Sequence, residues 1–297
     1  MREEYSYNGP MFSDSTYRVR PLSRNMLDTV VGWAAAEGWN PGLDDADIFW
    51  ETDPKGFVGL EMKGELIGSG SIVSYCNQFG FMGFFIMRPE FRNQGLGAQL
   101  WHERVRLLRT RLDPNASIGM DGVFTMQPFY SRGGFVFQYR TPRMEGIGVY
   151  STPDSRVVEL SLIPFSQVQQ FDQLHFGYDR TAFLKRWITP RNGLGMGFVR
   201  GNQLAAMGVI RPCLSGFKIG PLFAQDEESA NAVFDALSSH ATGKPIFLDT
   251  PECNPHARSL AQRKNMHEVF GCARMYLGTP PRLPVKHIYG ITTFELG

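Results

Sequence analysis

Apolar positions along this chain recur with two different periods, and the changes of period mark its elements. Phe84–Met87 is an apolar, strand-like run that stops at Pro89. From Leu96 the period lengthens: Leu96, Leu100, Val105, Leu108 and Leu112 recur every three or four residues, which predicts a helix. Arg104, Arg109 and Arg111 are expected on its solvated face. Lys63–Ile72 and Arg200–Ile210 each read as strand, tight glycine turn and strand, a hairpin signal. Ser117–Val123 reads as a further strand, and Phe294 and Leu296 alternate as if in a last strand joining a sheet. Trp33 is expected in the core.

These patterns occur twice. Ile86–Trp101 superposes without a gap on Ile219–Phe234, each running from a strand end into a helix. The two hairpins precede them in the same order, and Tyr130–Phe135 answers Ala261–Met266 later. Such internal repetition predicts two copies of one fold, residues 15–145 and 155–297. The join, residues 146–154, has linker composition.

The junction Arg92-Asn93-Gln94-Gly95-Leu96-Gly97-Ala98 carries chemistry. A glycine-rich turn opening a helix directs backbone N–H groups at one point, a place for an anionic phosphate. Two nucleotide motifs are excluded: a Rossmann loop needs glycine where Leu100 stands, and no Gly-Lys-Ser/Thr occurs. Arg-x-x-Gly-x-Gly after a strand-ending proline resembles the pyrophosphate loop of the GCN5-related N-acetyltransferases (GNATs). Tyr130, five residues before Phe135 of a Gly-Phe pair, matches that superfamily's second signature. The whole chain resembles a tandem GNAT protein of the YitH-type bacterial group, on the strength of Gly38–Gly42 and the ending Ile291–Gly297.

The resemblance implies an α/β fold of two GNAT domains, each a twisted mixed sheet flanked by helices. It implies direct acetyl transfer from acetyl-CoA to a small-molecule or peptide amine. The cofactor would be held by Phe85, Ile86 and Met87 along the pantetheine and by Arg92, Asn93, Gln94, Gly95, Leu96, Gly97 and Ala98 at the pyrophosphate. Tyr130 would be the general acid, with Asp121 and Glu61 as candidate bases beside a water chain. Trp39, Glu37 and Asp44 are candidate acceptor contacts. Val123 stands where the family has asparagine, whereas Asn254-Pro255-His256-Ala257 keeps that motif. In the second copy Arg92, Gly95, Gly97 and Tyr130 become Gln225, Glu228, Ala230 and Ala261. A glutamate at a phosphate site is unfavourable, so this copy is expected to be catalytically silent.

Composition narrows the remaining classes. A net charge of +1 argues against binding nucleic acid or an anionic membrane through a broad basic face. Locally, Glu37–Asp53 has acidic residues and no Lys or Arg, while Arg88–Arg111 is arginine-rich. Such patches suit a cationic acceptor and an anionic cofactor. No apolar run spans the ~18–20 residues that cross a bilayer. Met1–Tyr5 lacks a signal-peptide core, and the cysteines are scattered, so free thiols and a cytoplasmic setting are expected. Histidine spacings predict no metal. A non-catalytic acyl-CoA sensor and an interaction protein are the alternatives; neither needs Tyr130.

Overall fold

A computed structural model describes residues 17–297. The first-copy boundary at residue 15 and the Met1–Tyr5 segment lie outside these residues. In chain order the elements of the first copy are β1 (Tyr17–Pro21), α1 (Arg24–Ala36), α2 (Asp45–Thr52), β2 (Phe57–Met62), β3 (Glu65–Ser71), β4 (Val73–Tyr75), β5 (Phe79–Met82), β6 (Ile86–Met87), α3 (Leu96–Arg109), β7 (Ser117–Val123), α4 (Gln127–Arg132) and β8 (Val136–Ile147). Those of the second are β9 (Val157–Glu159), α5 (Phe165–Phe176), α6 (Thr181–Trp187), β10 (Leu194–Arg200), β11 (Gln203–Pro212), β12 (Phe217–Ala224), α7 (Glu227–His240), β13 (Pro245–Asp249), α8 (Pro255–Arg263), β14 (His267–Leu277) and β15 (Ile288–Gly290).

The repetition is visible in local detail. The β2–β3 and β10–β11 hairpins both close through two residues with positive φ, Lys63-Gly64 and Gly201-Asn202. That is the turn whose twist matches paired strands. Phe135 N–H donates to Tyr130 O at 3.1 Å, and Met266 N–H to Ala261 O at 3.0 Å.

The halves are not beads on a linker. One sheet is four-stranded, β1-β2-β3-β6, and the other runs through both halves in the order β4-β5-β7-β14-β8-β13-β12-β11-β10-β9. β14 of the second half lies between β7 and β8 of the first, while β8 lies between β14 and β13. The halves have therefore exchanged their last long strands. Gly146 and Ile147, assigned by composition to the join, are the end of β8, opposite Ile246 and Pro245. Val149 N–H continues to Ser238 Oγ, so the start of this segment is bound to the second half. One hydrophobic core holds side chains of both halves, from Leu27 and Phe49 to Phe223 and Leu296, with Trp33 packed against it.

Two expectations fail here. Phe294 and Leu296 do not form a strand. Thr293 Oγ1 accepts the Leu296 N–H at 2.9 Å, a side-chain-to-backbone bond that turns the chain, and both side chains are buried. Arg104 is not solvated either. Its Cα is one turn past Leu100, on the buried stripe of α3, and its guanidinium occupies space that a side chain at Gly70 would fill. Arg109 and Arg111 donate to the Ala116 and Ile72 carbonyls. The acidic stretch is largely neutralised: Asp45 pairs with Arg211, Asp53 with Arg111, Asp47 with Arg24 and Glu51 with Arg186.

Candidate active site

β5 and β7 run parallel from Phe79/Ser117 to Met82/Met120, and there their pairing ends. The cause is a bend between β5 and β6. Phe84 sits at φ 49°, a left-handed conformation rare for a non-glycine residue. Ser71 clamps the bend: its N–H donates to Gly83 O at 2.8 Å, and its Oγ accepts the Gly83 N–H at 2.6 Å. Arg104 Nη2 donates to both the Gly83 and Ser71 carbonyls, at 2.7 and 2.8 Å. Beyond the bend β6 turns to β3, leaving a wedge between β6 and β7.

A cavity of about 500 Å³ fills this wedge. Phe85, Ile86 and Met87 form one wall, and Met120–Val123 form the other. Arg92, Asn93, Gly95, Gly97 and Ala98 stand at its mouth. Gly95 precedes α3 at φ 77°, where an L side chain is strained. Among the described residues no side chain caps α3; Ala98 N–H turns back to Gly95 O at 3.1 Å, which leaves the Leu96 and Gly97 N–H groups as the donors at the helix start. Gln94 and Leu96 are not in the lining: Gln94 bonds Glu90 O, and Leu96 is buried under the helix. Arg92 reaches the Met87 carbonyl at 2.9 Å and pairs with Glu37, which places both at the cavity's edge.

Tyr130 also lines the cavity, on α4. Its ring packs tilted against that of Trp101, 4.9 Å between centroids and 35° between planes, and lies where a β-carbon on Gly122 would stand. Burial pushes its phenol well above the usual value, only partly offset by the nearby Arg104 cation, so it keeps its proton at neutral pH. Arg104 is fully buried without a carboxylate partner among the described residues, and burial draws it down to about 9. Its guanidinium lies 5.1 Å from the Phe85 ring centre and 5.8 Å from that of Trp101.

The two candidate bases are held by arginines. Asp121 lines the cavity, but both its oxygens accept from Arg274 of β14, at 2.8 and 2.7 Å. Glu61 lies on β2, outside the cavity lining, between Arg18 and Arg20. Of the acceptor candidates, Trp39 and Glu37 line the cavity. Asp44 does not; it borders a separate small depression with Asp47 and Arg186. Four further lining residues, Phe270, Cys272, Phe294 and Glu295, come from the second half. They reach the site through the exchanged β14 and the chain's tail; Phe294 and Glu295 belong to the ending Ile291–Gly297 that carried the resemblance, but nothing in that pattern assigned them to a site.

The second half repeats the wedge and fills it. β12 and β13 pair in parallel only over Phe217–Ile219. Beyond this, β15 lies against β12, and Ile291 N–H donates to Asp249 O at 2.9 Å, at the end of β13. Asn254 fastens this plug through Nδ2 to the Lys286 and Ile288 carbonyls while its Oδ1 caps α8. The start of α7 is closed too. Asp226 accepts the Ser229 N–H at 2.9 Å, and Glu227 and Glu228 follow. Glu228 pairs with Arg156 and Arg200.

Residues 23–135 match a model described as "Acetyltransferase (GNAT) family", and residues 168–290 one described as "Acetyltransferase (GNAT) domain". The chain belongs to the GCN5-related N-acetyltransferase superfamily. It is a tandem GNAT and an acyltransferase. It is similar to the holothin acyltransferase of Pseudoalteromonas sp. (strain SANK 73390), 29% identical over 97% of both chains. A Pyrococcus horikoshii protein provisionally assigned as an acetyltransferase shares the fold along the full length of both chains, with a TM-score of 0.81 at 23% identity. A tandem GNAT protein of the clavulanic acid biosynthesis pathway matches at TM-score 0.60 and 13% identity, over 90% of this chain and 99% of its own. Among the described residues, no helix of this tandem GNAT is long and apolar enough to cross a membrane.

Proposed function

We propose that this chain moves the acetyl group of acetyl-CoA to a primary amine, by direct attack in a ternary complex within the first half's cavity. The observation that carries this reading is the contrast between two equivalent wedges. One is open, with an uncapped helix start and Tyr130 beside it; the other is filled by β15 and begins its helix with acidic residues.

The donors at the start of α3 would hold the pyrophosphate, with Arg92 beside them. The pantetheine would lie along Phe85–Met87 like an added strand. Tyr130 would protonate the departing thiolate. That thiolate forms in the same buried place, so desolvation raises its proton affinity alongside that of the phenol. Arg104, a cation with no carboxylate partner among the described residues, favours negative charge on either. Asp121 serves the structure in this reading, holding Arg274 and so fixing β14. The Pseudoalteromonas relative is named a holothin acyltransferase; for this chain we propose a small-molecule amine of its own.

The test is incubation with acetyl-CoA and a panel of primary amines, reading thiol release and the acetylated product by mass. Release of CoA with an acetylated amine supports the reading. Acetyl-CoA binding without transfer to any amine would favour a sensor instead.

A further inference from the structure

Three acidic residues line the cavity: Glu37, Asp121 and Glu295. Glu37 is taken by Arg92 and Asp121 by Arg274. Glu295 is 4% exposed, and its carboxylate has neither an ion pair nor a hydrogen bond among the described residues. A buried carboxylate without a contact partner is unfavourable unless something else meets it. Glu295 shares the cavity lining with Trp39, Phe270 and Phe294.

Its position is firmly set. Tyr75 Oη donates to the Leu296 carbonyl at 2.8 Å, and Arg180 Nη1 to the Gly297 carbonyl at 3.1 Å. The backbone of Glu295 packs directly on Gly83, at the bend that shapes the cavity. The titratable groups near enough to feel the Glu295 charge are Arg143 of β8, Lys218 of β12, Arg211 of β11, Asp121 of β7 and Cys272 of β14. Arg143, Arg211 and Arg274 are each neutralised by direct pairs with Asp249, Asp45 and Asp121. Lys218 instead donates to the Trp39 carbonyl at 3.1 Å and has no ion pair among the described residues.

We propose that Glu295, carried by the tail of the second half, receives the acceptor's amine and takes its proton. This rests on the N-acetyltransferase reading above. The ammonium form of an alkylamine gives one proton to Glu295, which passes it to solvent. The neutral nitrogen attacks the thioester carbon, the new C–N bond forms and the C–S bond breaks. The second proton leaves the nitrogen for solvent; Tyr130 gives its own proton to the departing CoA sulfur and is reprotonated from solvent, so one proton is released overall. The second half is silent as a cofactor site under this assignment, yet it supplies a catalytic residue and two of the aromatic walls around it.

The experiment compares Glu295→Gln and Glu295→Asp with wild type, using phenethylamine, which arrives protonated, and anisidine, which arrives neutral. Acetyl-CoA affinity by titration calorimetry is measured alongside and should stay within about twofold, which reports an intact fold. Glu295→Gln should lower kcat/KM for phenethylamine by roughly 10²-fold at pH 7. The deficit should shrink as pH rises toward the amine's own pKa, and Glu295→Asp should recover part of the rate. Turnover of anisidine should change little. Equal losses on both amines, or an unchanged phenethylamine profile, overturn the assignment while leaving acetyl transfer intact. A wild-type protein that binds acetyl-CoA and acetylates neither amine overturns the N-acetyltransferase reading and this proposal with it.

Discussion

The space that a β-carbon on Gly83 would fill is occupied by the backbone of Glu295, with Glu295 C 2.9 Å from that point. Gly83 belongs to the bend that opens the cavity, and Glu295 to the tail that closes its far side. Gly83→Ala should therefore push the tail outward. The expected loss is about 1–3 kcal/mol of stability from overpacking. KM for the amine should rise, with acetyl-CoA affinity nearly unchanged, because the cofactor wall is on the other side of the bend. Chemical denaturation and steady-state kinetics on one preparation check both. A variant with wild-type KM would detach the tail from acceptor binding.

Gly95 allows strain and charge to be separated. Its φ of 77° is tolerated by asparagine better than by most residues, and no atom lies within 4 Å of an added β-carbon. Gly95→Asn should keep most acetyl-CoA affinity. Gly95→Glu copies Glu228 of the second half and sets a carboxylate at the anion end of α3. It should bind roughly tenfold or more weakly than the asparagine variant, about 1.4 kcal/mol. Equal affinities by calorimetry would mean that the pyrophosphate does not sit at this helix start.

Tyr130→Phe should keep cofactor affinity and lower kcat by roughly 10²–10⁴, the range for loss of a positioned acid. The sign of the pH dependence follows from burial, which raises the phenol's pKa. The acid form persists through the neutral and mildly alkaline range, so kcat should not fall between pH 7 and 9. An alkaline loss in that window, absent from the phenylalanine variant, would mean that bound cofactor reverses the shift.

The local signals in the sequence were the hairpin turns, the Arg92–Ala98 junction and the Tyr130–Phe135 step. Each depends on neighbouring residues only, and each stands in the structure where its pattern put it. What local pattern does not carry is partnership at long range. Asp45 and Asp53 look like part of an acidic patch until Arg211 and Arg111 are brought against them. Arg104 looks solvated because arginine usually is, and only the absence of a side chain at Gly70 makes room for it inside. Glu61 and Asp121 look available for the same reason, with Arg18, Arg20 and Arg274 distant in sequence. The strand exchange leaves no trace in either copy alone, since β8 and β14 have the same pattern whichever half they join.

Asp45 and Arg211 form a buried pair across the halves, with bonds of 2.8 and 3.2 Å. Burial alone would raise the Asp45 carboxyl. The Arg211 guanidinium, with Lys218 and the Gly42 N–H, outweighs it and holds the carboxyl below its ordinary value. A depressed carboxylate stabilises the fold above its unfolded pKa, and that contribution is lost as pH falls through the folded one. Urea midpoints should therefore drop as pH goes from 5 toward 2. Asp45→Asn should flatten part of that fall and cost about 3–5 kcal/mol at pH 7 by leaving Arg211 buried without its partner. A variant with wild-type stability at pH 7 would show the pair to be dispensable.

The exchange of β8 and β14 decides what happens when the chain is cut. Residues 1–154 alone would lack the strand between β7 and β8, and the partner on the other side of β8 as well. Asp121, whose side chain is fully buried, would lose Arg274, at about 3–5 kcal/mol for an uncompensated buried charge. That is a large share of the 5–15 kcal/mol that a folded domain holds in total. The wall formed by Phe270, Cys272, Phe294 and Glu295 would be missing too. The fragment should be insoluble, or soluble without acetyl-CoA binding. Residues 155–297 alone should fare no better, because β13 and β14 would have lost β8 from between them. Co-expressed as two chains, the fragments should find each other, since the exchanged strands are complementary edges, and acetyl-CoA binding should return in a one-to-one complex. Size-exclusion chromatography with calorimetry on the separate and combined fragments reads this out. A soluble, monomeric first fragment that binds acetyl-CoA like the full chain would mean that β7 and β8 close on each other when β14 is absent, and that the exchange is a feature of the joined chain alone.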